Sequence, residues 1–430
     1  MTDGEVRALA KELIGEGHEV GDHGRNSINW KRQLHMRLHW EISSPRSLLV
    51  ILRRNLLIER AIAESQMLWT PPKVLEKLDP DKGIFYRDRS AAAYPKHPME
   101  PTVVAVMKMQ PAALCLDVVA CSHTFRTLLD YVLEKDTALR MMLEVVGETI
   151  HLIRRENSPT EQILGIKGYG HSFPDACTTW DAGLESSLSH QRVIRYCLGG
   201  LQVMVRFEPD GRLARDDEMT LNAKGKISEN RTHTCELKAI QQTELKVGTG
   251  GHVVLQDDLF DIKTRSLLYR KNEDTVAEQL PRLWIAQIPN IILARHQLGR
   301  FEDVSVKDVR DRIETWEKEN EAVVNRFVGL LRCIMEIAMR HEATQLELTR
   351  KEGGDLEVRK RLPDAGEAFS TAVRAQWEDW LQEGRDEDSD EEEGANLYAS
   401  SDDDSQGWSD DDKDLTHCTE ECGYCGKCSF

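Results

Sequence analysis

From Glu383 to Asp414 the chain carries fifteen Asp or Glu against two basic residues, Arg385 and Lys413, with almost no apolar side chains. Such a run cannot bury enough surface to offset the entropy of ordering. It reads as a disordered acidic linker, and it marks where a folded body must stop. It holds a net −13 of the chain's −18, so the rest is close to neutral at −5. That excludes a nucleic-acid binder by bulk basic charge, and a groove for nucleic acid would have to be a local patch. Ser389, Ser401 and Ser409 each precede acidic residues in the pattern of acidophilic-kinase sites. A solubilising spacer and a docking segment for a protein partner are both open readings of the tail.

Ahead of the linker the sequence has the apolar content of a sizeable core, since hydrophobic residues are 40% of the 430. Residues 1–100 read as a helical N-terminal region followed by a loop. Glu5 to Leu13 and Leu48 to Ala63 have apolar residues at helical spacing, and Pro71 to Pro101 is rich in proline and charge. His35 and His39 would share a helical face, but Lys31, Arg32 and Arg37 mark that face as solvated. Residues 101–382 read as a mixed α/β body. Thr102 to Met109 is strand-like, and Ser122 to Asp136 helical. Leu143 to Arg154 is a hairpin turning at Gly147-Glu148, and Ser186 to Ile194 reads as helix. Val203 to Glu208 is a strand, Leu280 to Leu293 another, and Val304 to Met339 a long helix. Interleaving of this kind predicts the α/β class, a mixed sheet flanked by helices. The most apolar stretch, Ser47 to Leu57, is broken by Arg53 and Arg54, so no membrane partner is expected. The charged start, Met1-Thr-Asp-Gly-Glu-Val-Arg, has no secretory character, and the expected location is intracellular, in nucleus or cytoplasm.

In a reducing compartment, clustered cysteines read as metal ligands before disulfides. Cys418, Cys422, Cys425 and Cys428 crowd residues 415–430 and suggest a Zn²⁺-binding tip, as a Cys₄ site or as three cysteines with His417.

Three segments of the body carry candidate chemistry. Val205-Arg-Phe-Glu-Pro-Asp-Gly presents Glu208 and Asp210 at a strand end, Leu259-Phe-Asp-Ile-Lys-Thr-Arg presents Asp261 and Lys263, and Leu283-Trp-Ile-Ala-Gln-Ile-Pro presents Gln287. Alternate residues of a strand share a face, so Asp261 and Lys263 point the same way and an acid of a neighbouring strand can meet Asp261. Two carboxylates there, Asp210 and Asp261, form a hard-oxygen site for Mg²⁺ or Mn²⁺. Lys263 would offset charge developing on a phosphate or orient the attacking water. Arg206 and Arg265 on the same strands, and His171 in the loop Gly168-Tyr-Gly-His-Ser-Phe-Pro, are candidate phosphate-binding side chains. That loop serves equally well as a plain turn.

An acid at one strand end followed by Asp/Glu-x-Lys on the next resembles the PD-(D/E)XK nuclease superfamily. Within it the layout is similar to the DXO-like decapping exoribonucleases. The matching elements are a Gly-containing strand ending in Phe-Glu (Gly199 to Glu208), an acid-x-Lys-Thr strand (Asp261 to Thr264), and a Gln with a downstream Pro (Gln287, Pro289). The second acidic pair of those enzymes is not evident, and Asp261 stands where they use Glu. The whole chain is also similar to a fungal protein group with a Cys-rich end. The resemblance implies a metal-dependent phosphodiesterase on nucleic acid, with Glu208, Asp210, Asp261, Lys263 and Gln287 as the site. The alternative is a non-catalytic interaction protein that keeps the fold. Asp257-Asp-Leu-Phe-Asp261 and Asp410-Asp-Asp-Lys-Asp414 match a prenyl-diphosphate motif, but neither lies in the helical bundle that this chemistry needs.

Overall fold

A computed structural model describes residues 67–397 except 111–112, 167, 182–183, 185–186, 188–189, 216–244, 246–253, 268–273, 342–344 and 363–364. The expected N-terminal helices, most of the acidic linker, and the cluster Cys418, Cys422, Cys425 and Cys428 lie outside these residues.

In chain order the elements are β1 (Leu68–Trp69), α1 (Arg89–Ala93), α2 (Glu100–Met109), β2 (Val118–Cys121), α3 (Ser122–Val132), β3 (Leu139–Val146) and β4 (Thr149–Arg154). Next come α4 (Ser172–Cys177), β5 (Thr178–Thr179), β6 (Arg192–Leu198), β7 (Leu201–Phe207), β8 (Gly211–Arg212), β9 (Leu259–Ser266) and α5 (Thr275–Ala286). The rest are β10 (Asn290–Gln297), β11 (Arg300–Asp308), α6 (Arg310–Glu319), α7 (Glu321–Arg340), β12 (Leu346–Arg350), β13 (Glu357–Lys360) and α8 (Thr371–Leu397). The fold is mixed α/β, as expected, but with two mixed sheets rather than one. One sheet runs β13-β12-β3-β4-β2-β7-β6 and the other β11-β10-β9-β8-β1-β5.

The largest core joins the two sheets through helices. Phe125 and Leu128 of α3, Leu283 and Trp284 of α5, and Phe327 and Leu331 of α7 pack with Val203 and Val205 of β7 and Leu259 and Ile291 of the other sheet. On its opposite face the seven-stranded sheet is covered by α2 and α8, through Val103, Val106, Trp377 and Trp380. Phe260 and Ile262 lie in a third cluster with Tyr169, Phe173 and Phe301.

Several segments differ from their sequence reading. Thr102 to Met109 is helix, because Pro101 stands in the first turn, where it costs no hydrogen bond, and Val103 and Val106 are buried at helical spacing. Arg192–Leu198 is strand where Ser186 to Ile194 suggested helix. Leu280 to Leu293 divides between α5 and β10. The Asp274 carboxylate accepts from the backbone N–H groups of Val276 and Ala277 and starts α5, and Val276, Leu280, Leu283 and Trp284 bury its face. Val304 to Met339 likewise divides, into β11, α6 and α7. The last helix runs Thr371–Leu397, past Glu383 where the linker was expected to begin. The 143–154 hairpin is present, and Gly147 takes φ +56° at its turn. No helix among the described residues is long and apolar enough to cross a membrane.

Candidate phosphodiester cleft and carboxylate pair

β2 runs parallel to both β4 and β7. The carboxyl ends of all three therefore open on one side, which is where ligands bind in open α/β sheets. A cleft of about 620 Å³ lies there. Its walls include Cys121 and the following first turn of α3, Arg154 at the end of β4, and Arg206 to Glu208 at the end of β7. The segment Asp81 to Ser90, read as connecting loop, closes another side. It is tied down where Arg87 N–H donates to Glu161 O and Ile163 N–H to Phe85 O, and where the Asp81 carboxylate accepts from the N–H groups of His171 and Ser172.

Six arginines line the cleft: Arg87, Arg89, Arg126, Arg154, Arg206 and Arg282. Arg87 pairs with Glu161 at 2.9 Å, Arg126 with Asp130 at 2.9 Å and Arg154 with Glu156 at 2.5 Å. The Arg206 side chain makes no hydrogen bond or ion pair among the described residues. The Glu208 carboxylate accepts from Arg89 Nη1 at 3.0 Å and from Gln191 Nε2 at 3.1 Å, which fixes it in the wall. His171 stacks on Phe85 with ring centroids 4.0 Å apart. Burial holds its imidazole below the usual value, so it is neutral at pH 7 and offers an N–H rather than a charge.

Asp210 forms the floor, and β8 and β9 set its position. Its N–H donates to Phe260 O at 3.1 Å, and its Oδ2 accepts from Ile262 N–H at 2.6 Å, so it grips β9 on both sides of Asp261. The adjacent Gly211 is required by close approach. A Cβ there would lie 2.5 Å from Met67 O and from the Phe260 ring. Asp261 is fully buried. Its Oδ1 accepts from Arg282 Nη2 at 2.6 Å, and the Asp210 carboxyl is hydrogen-bonded to the same carboxylate. Burial and the neighbouring Asp261 charge push the Asp210 carboxyl well above the ordinary range. Lys263 is pulled below the usual ammonium value by burial and then by Arg282, while Asp261 holds Arg282 firmly charged.

The structure thus brings together Asp210, Asp261 and Lys263, with Glu208 and Arg206 in the adjoining wall and His171 across the cleft. Two candidates fall elsewhere. Gln287 ends α5 in the left-handed conformation at φ +52°, its Nε2 donates to Trp284 O, and it does not line the cleft. Arg265 donates to Glu278 on α5 at 3.0 Å. Arg282 was not foreseen, because its helix read as strand. Its signal was the Asp274 cap, followed by Glu278 and Arg282 four residues apart as the only charges within an apolar helix.

Two facing carboxyls that share a hydrogen bond fit a small hard cation in place of their proton, as Mg²⁺ is commonly held, by one or two carboxylates with water and substrate phosphate completing the shell. Among the described residues no group of three His, Cys, Asp or Glu gathers to form a closed cage.

Solved structures resemble this one, and one reaches the level of a shared fold. A mutant S. pombe Rai1 in complex with 3′-FADP superposes with TM-score 0.50 at 12% identity, covering 79% of this chain and 100% of that one. S. pombe Rai1 with 3′-FADP gives 0.49 at 11% over the same shares, and Candida albicans Rai1 with pU5-Mn²⁺ gives 0.44 at 8%, covering 76% and 99%. The likeness is one of fold, and it agrees with the DXO-like PD-(D/E)XK layout read from the sequence. No curated protein matches the chain in sequence. A family match spans residues 61–352, which holds the cleft and both carboxylates, and the chain belongs to that family, described as a domain of unknown function (DUF8563).

Proposed function

We propose that this protein is a metal-dependent phosphodiesterase acting on nucleic acid. The observation that supports the reading is the buried pair Asp210–Asp261 with Lys263, set beside an arginine-lined cleft at the carboxyl ends of parallel strands. Asp210 and Asp261 would hold Mg²⁺ or Mn²⁺, which supplies Lewis-acid polarisation of a phosphoryl oxygen. The unpaired Arg206 binds the phosphate, and a guanidinium does so in two-point fashion. Lys263 places a cation where negative charge grows during displacement. The Phe85–His171 stack offers a ring face for a base.

A second reading retains nucleic-acid binding without hydrolysis. Its specific support is the Arg282–Asp261 ion pair, in which a protein cation already neutralises the acid. Incubation of the full chain with end-labelled single-stranded RNA and DNA in Mn²⁺ separates the two. Cleavage that disappears in Asp261→Asn and Lys263→Ala supports the enzyme. Binding with no cleavage of either polymer leaves the second reading.

A further inference from the structure

Asp261 does not itself line the cleft, but two residues bonded to it do, Asp210 and Arg282. The Asp261 side chain is 0% exposed, whereas that of Arg282 is 37% exposed, so one guanidinium touches both the buried acid and the ligand space. Its bond to Asp261 uses one N–H of five, and the remaining donors have the fork geometry that fits a phosphate.

We propose that Arg282 is a counter-ion latch: it holds Asp261 while the cleft is free of phosphate and moves onto a phosphate when one arrives, so that cation and phosphate enter the site together. This rests on the metal-dependent reading above and adds an order to it. A guanidinium and a divalent cation repel one another at a single carboxylate, so Arg282 opposes the cation for as long as it stays on Oδ1. A phosphate offers Arg282 an alternative anion and leaves both Asp261 oxygens to the cation. Arg282 also lies near Asp210, so its departure opens the Asp210–Asp261 pair as a unit, while Glu208 stays held by Arg89 and Gln191. Coupling between two ligands is reciprocal, and the cation must therefore tighten the phosphate by the same factor.

The test is Mn²⁺ binding by the full chain, read from the electron paramagnetic resonance signal of the free ion, with and without adenosine 5′-monophosphate. Asp261→Asn supplies the background from Mn²⁺ bound by the nucleotide alone. In the wild type the nucleotide should tighten Mn²⁺ by about tenfold, within the usual range of such couplings. Arg282→Gln should bind Mn²⁺ without nucleotide as tightly as the wild type does with it. Arg282→Lys keeps a cation beside the buried acid, guards against failure to fold, and should retain a weakened coupling. Wild-type Mn²⁺ affinity indifferent to the nucleotide, or Arg282→Gln as nucleotide-dependent as the wild type, overturns the latch and leaves the metal site standing. Mn²⁺ binding that Asp261→Asn does not change overturns the metal reading itself, and the latch falls with it.

Discussion

The Arg282–Asp261 pair should be lopsided: removing the base should cost far more stability than neutralising the acid. Arg282→Gln leaves a fully buried carboxylate that has lost its counter-ion and keeps the Asp210 carboxyl as its side-chain partner. Breaking a buried pair in this way costs about 3–5 kcal/mol. Because Arg282 is partly open to the cleft, water screens some of that, and the low end, about 3 kcal/mol, applies. Asp261→Asn also loses a charged hydrogen bond, worth roughly 1.5–3 kcal/mol. It gains by ending the repulsion of Asp210, and its new amide can donate to the Asp210 carboxylate. These effects largely cancel, to a net change within about 1 kcal/mol. The double variant should recover most of the Arg282→Gln loss, since no buried charge is then left unpaired. Thermal midpoints at pH 7 read this directly, at roughly 2–4 °C per kcal/mol for a body of this size. Equal losses in the two single variants, or a double variant at their sum, would refute the reasoning.

Asp210 should make the protein less stable as pH rises. Its folded carboxyl binds a proton more tightly than the unfolded one, so the stability present below its ordinary value of 3.8 is lost as pH climbs through the raised value. Asp210→Asn should therefore melt higher than the wild type at pH 7 and no higher at pH 4, and parallel melting profiles from pH 4 to 8 would contradict this. Arg206→Ala should weaken single-stranded RNA binding and lower the slope of log affinity against log salt by about 0.7, the share of one phosphate contact. A slope left unchanged removes Arg206 from the phosphate path. For the terminal cysteines, elemental analysis should find about one zinc per chain, lost in the Cys422→Ser/Cys425→Ser variant, and wild-type protein purified without chelators yet free of zinc would end that assignment.

What the sequence revealed and what it hid have separate physical causes. Strands β7 and β9 were legible because Val203 to Phe207 and Leu259 to Ile262 are dense in apolar and β-branched residues, and each ends on charge. The two-residue period of strands put Asp261 and Lys263 on one face, but it did not choose between Glu208 and Asp210 as the acid that meets Asp261. Two helices were misread for the same reason in reverse. Val103-Val-Ala-Val and Trp284-Ile-Ala carry β-rich composition, and composition outweighed the caps, Pro101 in one and Asp274 in the other. The misreading of α5 concealed Arg282 and hid that Gln287 stands at a helix end. The arginine wall was hidden more deeply. Arg126, Arg154 and Arg206 are far apart in the chain, and the parallel alignment of β2, β4 and β7 brings them to one cleft, with Arg89 added from the 81–90 segment. No local pattern encodes that alignment.

Two buried ionisable groups show how this fold treats charge, and the contrast bears on which of them carries function. His151 is fully enclosed, its Nε2 accepts from Trp377 Nε1–H at 2.9 Å, and burial pushes it down to about 3. It is neutral at any physiological pH, so its burial costs no charge, and its bond pins α8 to the seven-stranded sheet. Asp261 is as deeply enclosed, but its partner is a guanidinium rather than an indole N–H. An apolar residue would fill its place on β9 between Leu259 and the helices at lower cost, since replacing a buried ion pair by apolar packing is often neutral or stabilising. Instead the chain keeps the carboxylate, sets a second one against it, and compensates it with a guanidinium that the cleft can reach. A group kept only for the fold would be sealed like His151; a charge buried behind a removable counter-ion is arranged to be uncovered.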